Sequence, residues 1–338
     1  MMVMMVWMVV MVFFGVAASE DKKDYNGPQH RALCGLLKAA VTKWGEVHGR
    51  EPADPLRKAL GQTIFGKVEG GDLSVLKVLP TDYNNVEGRL TSRGTWCGQP
   101  FYETHTAHGW RWSGHSAPHD LVCLCTLGNN TWPLNHTQKE TTLCGKDGNA
   151  LGGSDGKGWS NGGSGNEHVK ATWVKVTVPC LNGEAGGDLK QALNEFLGKL
   201  QHKPDGDINP SRYILGENNV TETDSDACTG SPKLGVCVAY FNATSPMPWW
   251  VALQNALPEE EKFQEEKRRE EERRKKQEEE QNQEFPKAEA LRSGSPTTNQ
   301  TEQSHKDNIT DTIRKFNLTS GTPISMPSSW LLRAVFLF

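Results

Sequence analysis

Apolar residues recur at helical spacing in three stretches of this chain and almost vanish from a fourth. Leu33, Leu36, Leu37, Ala40, Val41 and Trp44 follow the i, i+3, i+4, i+7 rule over about three turns, which predicts an amphipathic helix with Gly49 as its stop. A second helix is predicted from Asp188, a good N-cap, through Leu189, Leu193, Phe196, Leu197 and Leu200. A third begins near Pro248 and carries Trp249, Val251, Ala252, Leu253 and Leu257. Thr172–Val178 alternates and is β-branched, so it is expected to form a strand. The pattern changes at Pro258. Glu259–Glu284 is almost wholly Glu, Lys, Arg and Gln, without Gly or Pro. Glu265 with Arg269, Glu270 with Arg274, Glu271 with Lys275 and Glu272 with Lys276 stand Glu-first at i,i+4, each pair adding a few tenths of a kcal/mol. No sustained apolar seam runs through this stretch, so a lone exposed helix roughly 40 Å long fits better than a coiled coil. Phe285–Ser320 is too poor in apolar residues to build a core and reads as a flexible stalk.

The stretch from Gly94 to Gly165 has a different texture. It holds Trp96, Trp110, Trp112, Trp132 and Trp159, four cysteines and few periodic runs, and is expected to be an irregular, disulfide-stapled head. Its last part, Gly145–Gly165, contains nine glycines and is expected to be an exposed loop.

Both ends carry apolar segments that read as processing signals. Met1–Ala18 is an apolar run ending in Val16-Ala17-Ala18, small residues at the positions a signal peptidase reads, although a basic n-region is missing. Ser320-Gly321-Thr322 is a small triplet followed by a polar spacer and the apolar tail Trp330–Phe338, the pattern of a glycosylphosphatidylinositol (GPI) attachment signal. The attachment residue is read as Ser320, with Gly321 as the alternative. The tail is short and contains Arg333, whereas a bilayer span needs about 20 apolar residues. The organisation expected is therefore a signal peptide at 1–18, a main domain at 19–257, a charged helical spacer at 258–284, a glycosylated stalk at 285–320 and a removed signal at 321–338. The mature protein is expected at the cell surface, held to the outer leaflet of the plasma membrane after secretory transport.

Export changes the reading of the cysteines. Cys34, Cys97, Cys123, Cys125, Cys144, Cys180, Cys228 and Cys237 make an even count, expected as four disulfides among the 105 pairings that eight cysteines allow. Cys123 and Cys125 are too close to close on each other and are expected to reach separate partners. Cys228 and Cys237 flank the turn-like Thr229-Gly230-Ser231-Pro232, so a local bridge is expected there. N-glycosylation sequons begin at Asn129, Asn135, Asn219, Asn242, Asn299, Asn308 and Asn317. A net charge of −4 argues against a dedicated nucleic-acid binder.

No constellation of residues points to catalysis. His105, His108, His115 and His119 crowd one stretch, but the H-E-x-x-H arrangement is absent, and Gly, Pro, Ser and Trp interleave them. Cys97, Cys123, Cys125 and Cys144 lack the paired C-x₂₋₄-C spacing of structural zinc. The glycines at 152, 153, 156 and 158 lack the G-K-[ST] end of a phosphate loop, and there is no G-x-S-x-G elbow. No cofactor, metal or enzymatic activity is expected, and the aromatic residues are expected in the core.

The ordered set of features resembles the variant surface glycoproteins of African trypanosomes, nearest the congolense-like, B-type subset. The segments carrying the resemblance are Cys34–Trp44, Leu60–Gly66, Leu79–Tyr83, Cys97–Pro100, Cys123-Leu124-Cys125 and Trp330–Phe338, which span nearly the whole chain. The resemblance implies a mainly α fold: an elongated antiparallel helical bundle with a disulfide-rich head, usually paired as a homodimer. It implies a dense, GPI-anchored coat that is exchanged to evade host antibodies. The tail here has no cysteines, unlike the knotted C-terminal domains of some relatives, so no second globular domain is expected. The same architecture is similar to that of GPI-anchored trypanosome receptors for host haemoglobin-haptoglobin or transferrin, the alternative reading.

Overall fold

The structure, a computed structural model, describes residues 23–86, 91–101, 111–134, 141–162, 165–182, 186–206 and 209–290. The expected signal peptide, GPI signal, Ser320, and most of the stalk lie outside these residues. The chain divides into two compact units at Arg273/Arg274. The described part of the second is the end of one helix.

The first unit is mainly α and disulfide-rich. Helix α1 (Gly27–Val47) buries Leu33, Leu36, Leu37, Ala40, Val41 and Trp44, the stripe predicted from spacing. It packs against α2 (Pro55–Phe65), which starts at Asp54, whose carboxylate accepts from the Arg57 amide (2.8 Å), and stops at Gly66. Short α3 (Arg93–Gly98) and α4 (Ala117–Cys125) follow, with Ser92 and Ser116 as their N-caps. All nine residues of α4 are buried, so the centre of the expected irregular head is a regular helix. Sequence periodicity cannot reveal a helix that is apolar-packed on every side.

Thr172–Val178 is not a strand. Helix α5 (Asn166–Thr172) runs through one π-helical turn (Trp173–Thr177) into α6 (Val178–Leu181). Trp173, Val176, Thr177, Cys180 and Leu181 are buried, an i, i+3, i+4, i+7, i+8 stripe, whereas Val174 is 50% exposed. The β-branched alternation masked this stripe, and packing of α6 on α1 decided the outcome. Helix α7 (Leu189–Leu197) starts where predicted, with Asp188 accepting from the Gln191 amide at 2.7 Å, and it packs on α1.

The strands are few. β1 (Asp24–Tyr25) pairs in parallel with β2 (Thr142–Leu143), and β3 (Gln201–His202), β4 (Arg212–Glu217) and β5 (Val236–Phe241) form an antiparallel sheet. All six residues of β5 are buried. Asn26 knits these parts together. Its Nδ2 donates to the carbonyls of Leu124 and Val236 (2.8 Å each), and its Oδ1 accepts from the Glu217 amide (2.7 Å).

The Gly145–Gly165 segment is packed rather than exposed at its centre. Leu151 and Trp159 are fully buried. A Cβ on Gly158 would lie 1.9 Å from the Gly128 carbonyl oxygen, so glycine here permits backbone to meet backbone.

Helix α8 (Trp249–Ala290) is one continuous element across the compositional break at Pro258. Trp249, Trp250, Leu253 and Ala256 are buried, Glu260 is half-buried, and the charged positions from Glu261 to Glu280 are exposed. Arg50 grips Glu260 with both terminal guanidinium nitrogens (2.6 and 2.9 Å), and Lys190 meets Glu261 at 2.6 Å. Of the predicted i,i+4 pairs, Glu265–Arg269 forms at 2.6 Å, whereas Arg274 turns to Glu278 at 3.7 Å. The helix continues past the expected end at Glu284. Among the described residues no helix is long and apolar enough to cross a membrane.

Candidate functional site

The eight cysteines form four disulfides: Cys34–Cys180, Cys97–Cys123, Cys125–Cys144 and Cys228–Cys237. Cys123 and Cys125 lie about 200° apart around α4, which is why they reach opposite neighbours. One staples α4 to α3 and the other to the loop after β2. The Cys228–Cys237 bridge closes the turn that the sequence marked.

Behind α4 sits a buried polar cluster with no signature in the sequence. Arg93 is fully buried, its guanidinium 5.4 Å from the centre of the Trp159 ring, and it donates to carbonyls: Nη2 to Cys123 O (2.6 Å), and Nη1 to Thr126 O (2.9 Å), Leu127 O (3.1 Å) and Trp159 O (3.2 Å). It thereby satisfies orphan carbonyls at the C-terminal end of α4, where a cation is favoured by the helix dipole. Burial lowers its pKa to about 9, so it stays charged at neutral pH.

Asp120, also fully buried, ties three elements together. Its Oδ2 accepts from Trp249 Nε1 (2.6 Å) and Tyr240 Oη (2.9 Å), and its Oδ1 from the Gly114 amide (3.1 Å). Burial pushes its pKa up to about 7, with the three hydrogen bonds opposing the rise. Next to it, His119 Nε2 donates to Trp96 O (3.1 Å), which leaves Nδ1 to accept from Tyr83 Oη (2.8 Å). Burial lowers the His119 pKa to about 3 and that of His115 well below its ordinary value, Arg111 adding to both. These two histidines, with ring centroids 6.1 Å apart, are buried core groups. His105 and His108 lie outside the described residues.

Asp120→Asn is expected to destabilise the protein by about 2–3 kcal/mol at pH 7, read from urea unfolding. Whichever way the amide turns, its NH₂ faces either the Trp249 indole N–H or the Gly114 amide, each of which only donates. An unchanged midpoint would refute this role.

His30, Cys34 and Cys180 bring three potential ligand atoms within 4.8 Å of one another. Both sulfurs are spent in the disulfide, leaving the imidazole alone, so this cluster does not fit a metal ion.

The sequons that fall in described residues lie outside the α-helices and strands. Asn129 and Asn219 are exposed, and Asn242 is half-buried. Two of them abut the same disulfide-closed turn. The Asn129 amide donates to Gly230 O (2.8 Å), while Asn219 donates from its amide to Lys233 O (3.1 Å) and from Nδ2 to Pro232 O (3.1 Å). Glycans at Asn129 and Asn219 would therefore flank a single surface patch. Asn135, Asn299, Asn308 and Asn317 lie outside the described residues.

A family model described as the trypanosomal VSG domain, VSG standing for variant surface glycoprotein, matches residues 36–280, more than half of the chain. The match takes in α2 through most of α8 and both halves of three disulfides. No curated protein matches the chain.

Proposed function

From the premise that the chain belongs to the trypanosomal VSG domain family, a family of surface coat glycoproteins, we propose a GPI-anchored variant coat protein of the congolense-like, B-type subset. In this reading the protein has a structural rather than a catalytic role. A dense layer of copies, each paired as a homodimer, shields the plasma membrane and is exchanged to evade host antibodies. The lipid joins at Ser320, or at Gly321. The observation that carries the reading is the family match over residues 36–280. Three features support it: the stapled core, the exposed Asn129 and Asn219, and the small-residue triplet ahead of the apolar tail.

The test is phospholipase release from living cells. The chain is expressed in a GPI-competent trypanosome, and intact cells are treated with phosphatidylinositol-specific phospholipase C. Release at coat-like copy number, with a C-terminal peptide ending at Ser320 or Gly321, is the expected result. Release at trace abundance would favour the nutrient-receptor alternative. Absence of membrane association would overturn the anchor.

A further inference from the structure

A cleft of about 660 Å³ opens between α2, the segment after it and the 111–115 loop, within the size range of small-molecule sites. Its walls are apolar, made by Phe65, Val75, Leu76, Pro80 and Trp112. Two of its glycines, Gly66 (φ +72°) and Gly70 (φ +79°), are obligatory. A Cβ at Gly66 would fall 1.8 Å from the His115 ring, and one at Gly70 would fall 2.1 Å from the Trp44 indole. The cleft is thus bounded by close packing on its inner side and is not a gap left by a missing side chain.

The polar groups at the cleft are unbalanced in sign. Arg111, 8% exposed, places Nη2 3.2 Å from Asp82 Oδ2 and its guanidinium 4.8 Å from the centre of the Tyr83 ring. Its Nη1 lies 3.5 Å from His115 Nδ1. That pair leaves Lys67, which is exposed at the rim and has no carboxylate partner among the described residues. His115 adds no negative charge, and among the described residues Asp82 is the only carboxylate lining the cleft. Apolar walls with an excess of one positive charge select for a ligand of matching character.

We propose that this cleft binds a small amphipathic anion, an apolar chain or ring bearing one carboxylate, with the body against Phe65, Val75 and Trp112 and the carboxylate towards Lys67 and Arg111. A neutral apolar molecule would fill the walls and leave the excess cation unmatched. A dianion would meet Asp82.

The test uses the purified chain with 8-anilinonaphthalene-1-sulfonate as the fluorescent probe, displaced by octanoate or by 1-octanol. Octanoate is expected to displace the probe at about tenfold lower concentration than octanol. Lys67→Glu, at an exposed position, is expected to weaken octanoate about fivefold and leave octanol unchanged. Val75→Trp, also at an exposed position (61%), narrows the cleft and is expected to weaken both. Equal displacement by the two competitors, or an octanoate response untouched by Lys67→Glu, would overturn the charge selection. Probe fluorescence indifferent to Val75→Trp, or no probe binding at all, would overturn the site.

Discussion

Lowering the pH from 6.5 to 4.5 is expected to cost the folded protein at least about 2 kcal/mol. Two buried histidines and one half-buried one drive the loss. His30, with its pKa lowered to about 4 chiefly by burial, His119 at about 3, and His115, well below its ordinary value, all stay neutral in the native state. In the unfolded chain each titrates near 6.5. Between their folded and unfolded pKa values the unfolded state binds more protons, so stability rises with pH through that window and falls as acid is added. His30 and His119 each contribute about 2 kcal/mol over those two pH units, and His115 acts in the same sense. Asp120 acts in the opposite sense. Its folded pKa, raised to about 7, makes the native state the better proton acceptor from about pH 4 upwards, which offsets roughly one histidine. Asp224, held low by Lys233 and by hydrogen bonds from Thr221, loses its contribution only below this range. Urea unfolding at pH 4.5, 5.5 and 6.5 measures the sum. Asp120→Asn removes the offset, so its pH slope is expected to be steeper than that of the parent even though its stability is lower. A flat profile, or one that falls as pH rises, would contradict the neutral histidines.

Removing the Cys34–Cys180 bridge, as Cys34→Ala with Cys180→Ala, is expected to cost about 5 kcal/mol. The bridge joins residues 146 apart, and the entropy of closing so long a loop in the unfolded chain scales with the logarithm of its length. The same relation gives about 2.6 kcal/mol for Cys228–Cys237, which spans only 9 residues. The ordering of the two is the sharper expectation, because strain and residual unfolded structure move the absolute values. Comparing urea midpoints of the two double variants decides it. The idea fails if the short bridge proves the more costly to lose. Structure supports the ordering, since Cys34–Cys180 joins α1 to α6 while Cys228–Cys237 closes a local turn.

The elements legible in the sequence are those whose order is local. The α1 stripe, the Asp188 cap of α7 and the entry of α8 near Pro248 each declare themselves within a few turns. The Cys228–Cys237 bridge was legible for the same reason, its turn residues lying between the two cysteines. What stayed hidden depends on distant partners. Asp120 meets Tyr240 and Trp249, more than a hundred residues away, and nothing around it marks a buried carboxylate. Arg93 binds carbonyls, which every residue carries, so no pattern of side chains points to it. The sheet partners β4 and β5 went unread because β5 is buried on both faces and shows no alternation. The glycine run was misread because glycine serves a tight backbone approach as well as it serves an open loop.

The turn between Cys228 and Cys237 has a further consequence for how this protein tolerates change. It is held by main-chain bonds, Cys228 N to Leu234 O, Gly230 N to Gly235 O and Gly235 N to Ser231 O, by the Leu234 amide donating to Ser231 Oγ (3.1 Å), and by its disulfide. Its neighbours Asn129 and Asn219 grip it through backbone carbonyls as well. The outward Pro232, and Glu222 and Asp226 on the approach to it, are exposed. Architecture and appearance are therefore written largely in separate alphabets: glycines, cysteines, peptide groups and a few polar side chains bonded to them set the shape, and exposed side chains such as Glu222 and Asp226 are free to drift without altering it.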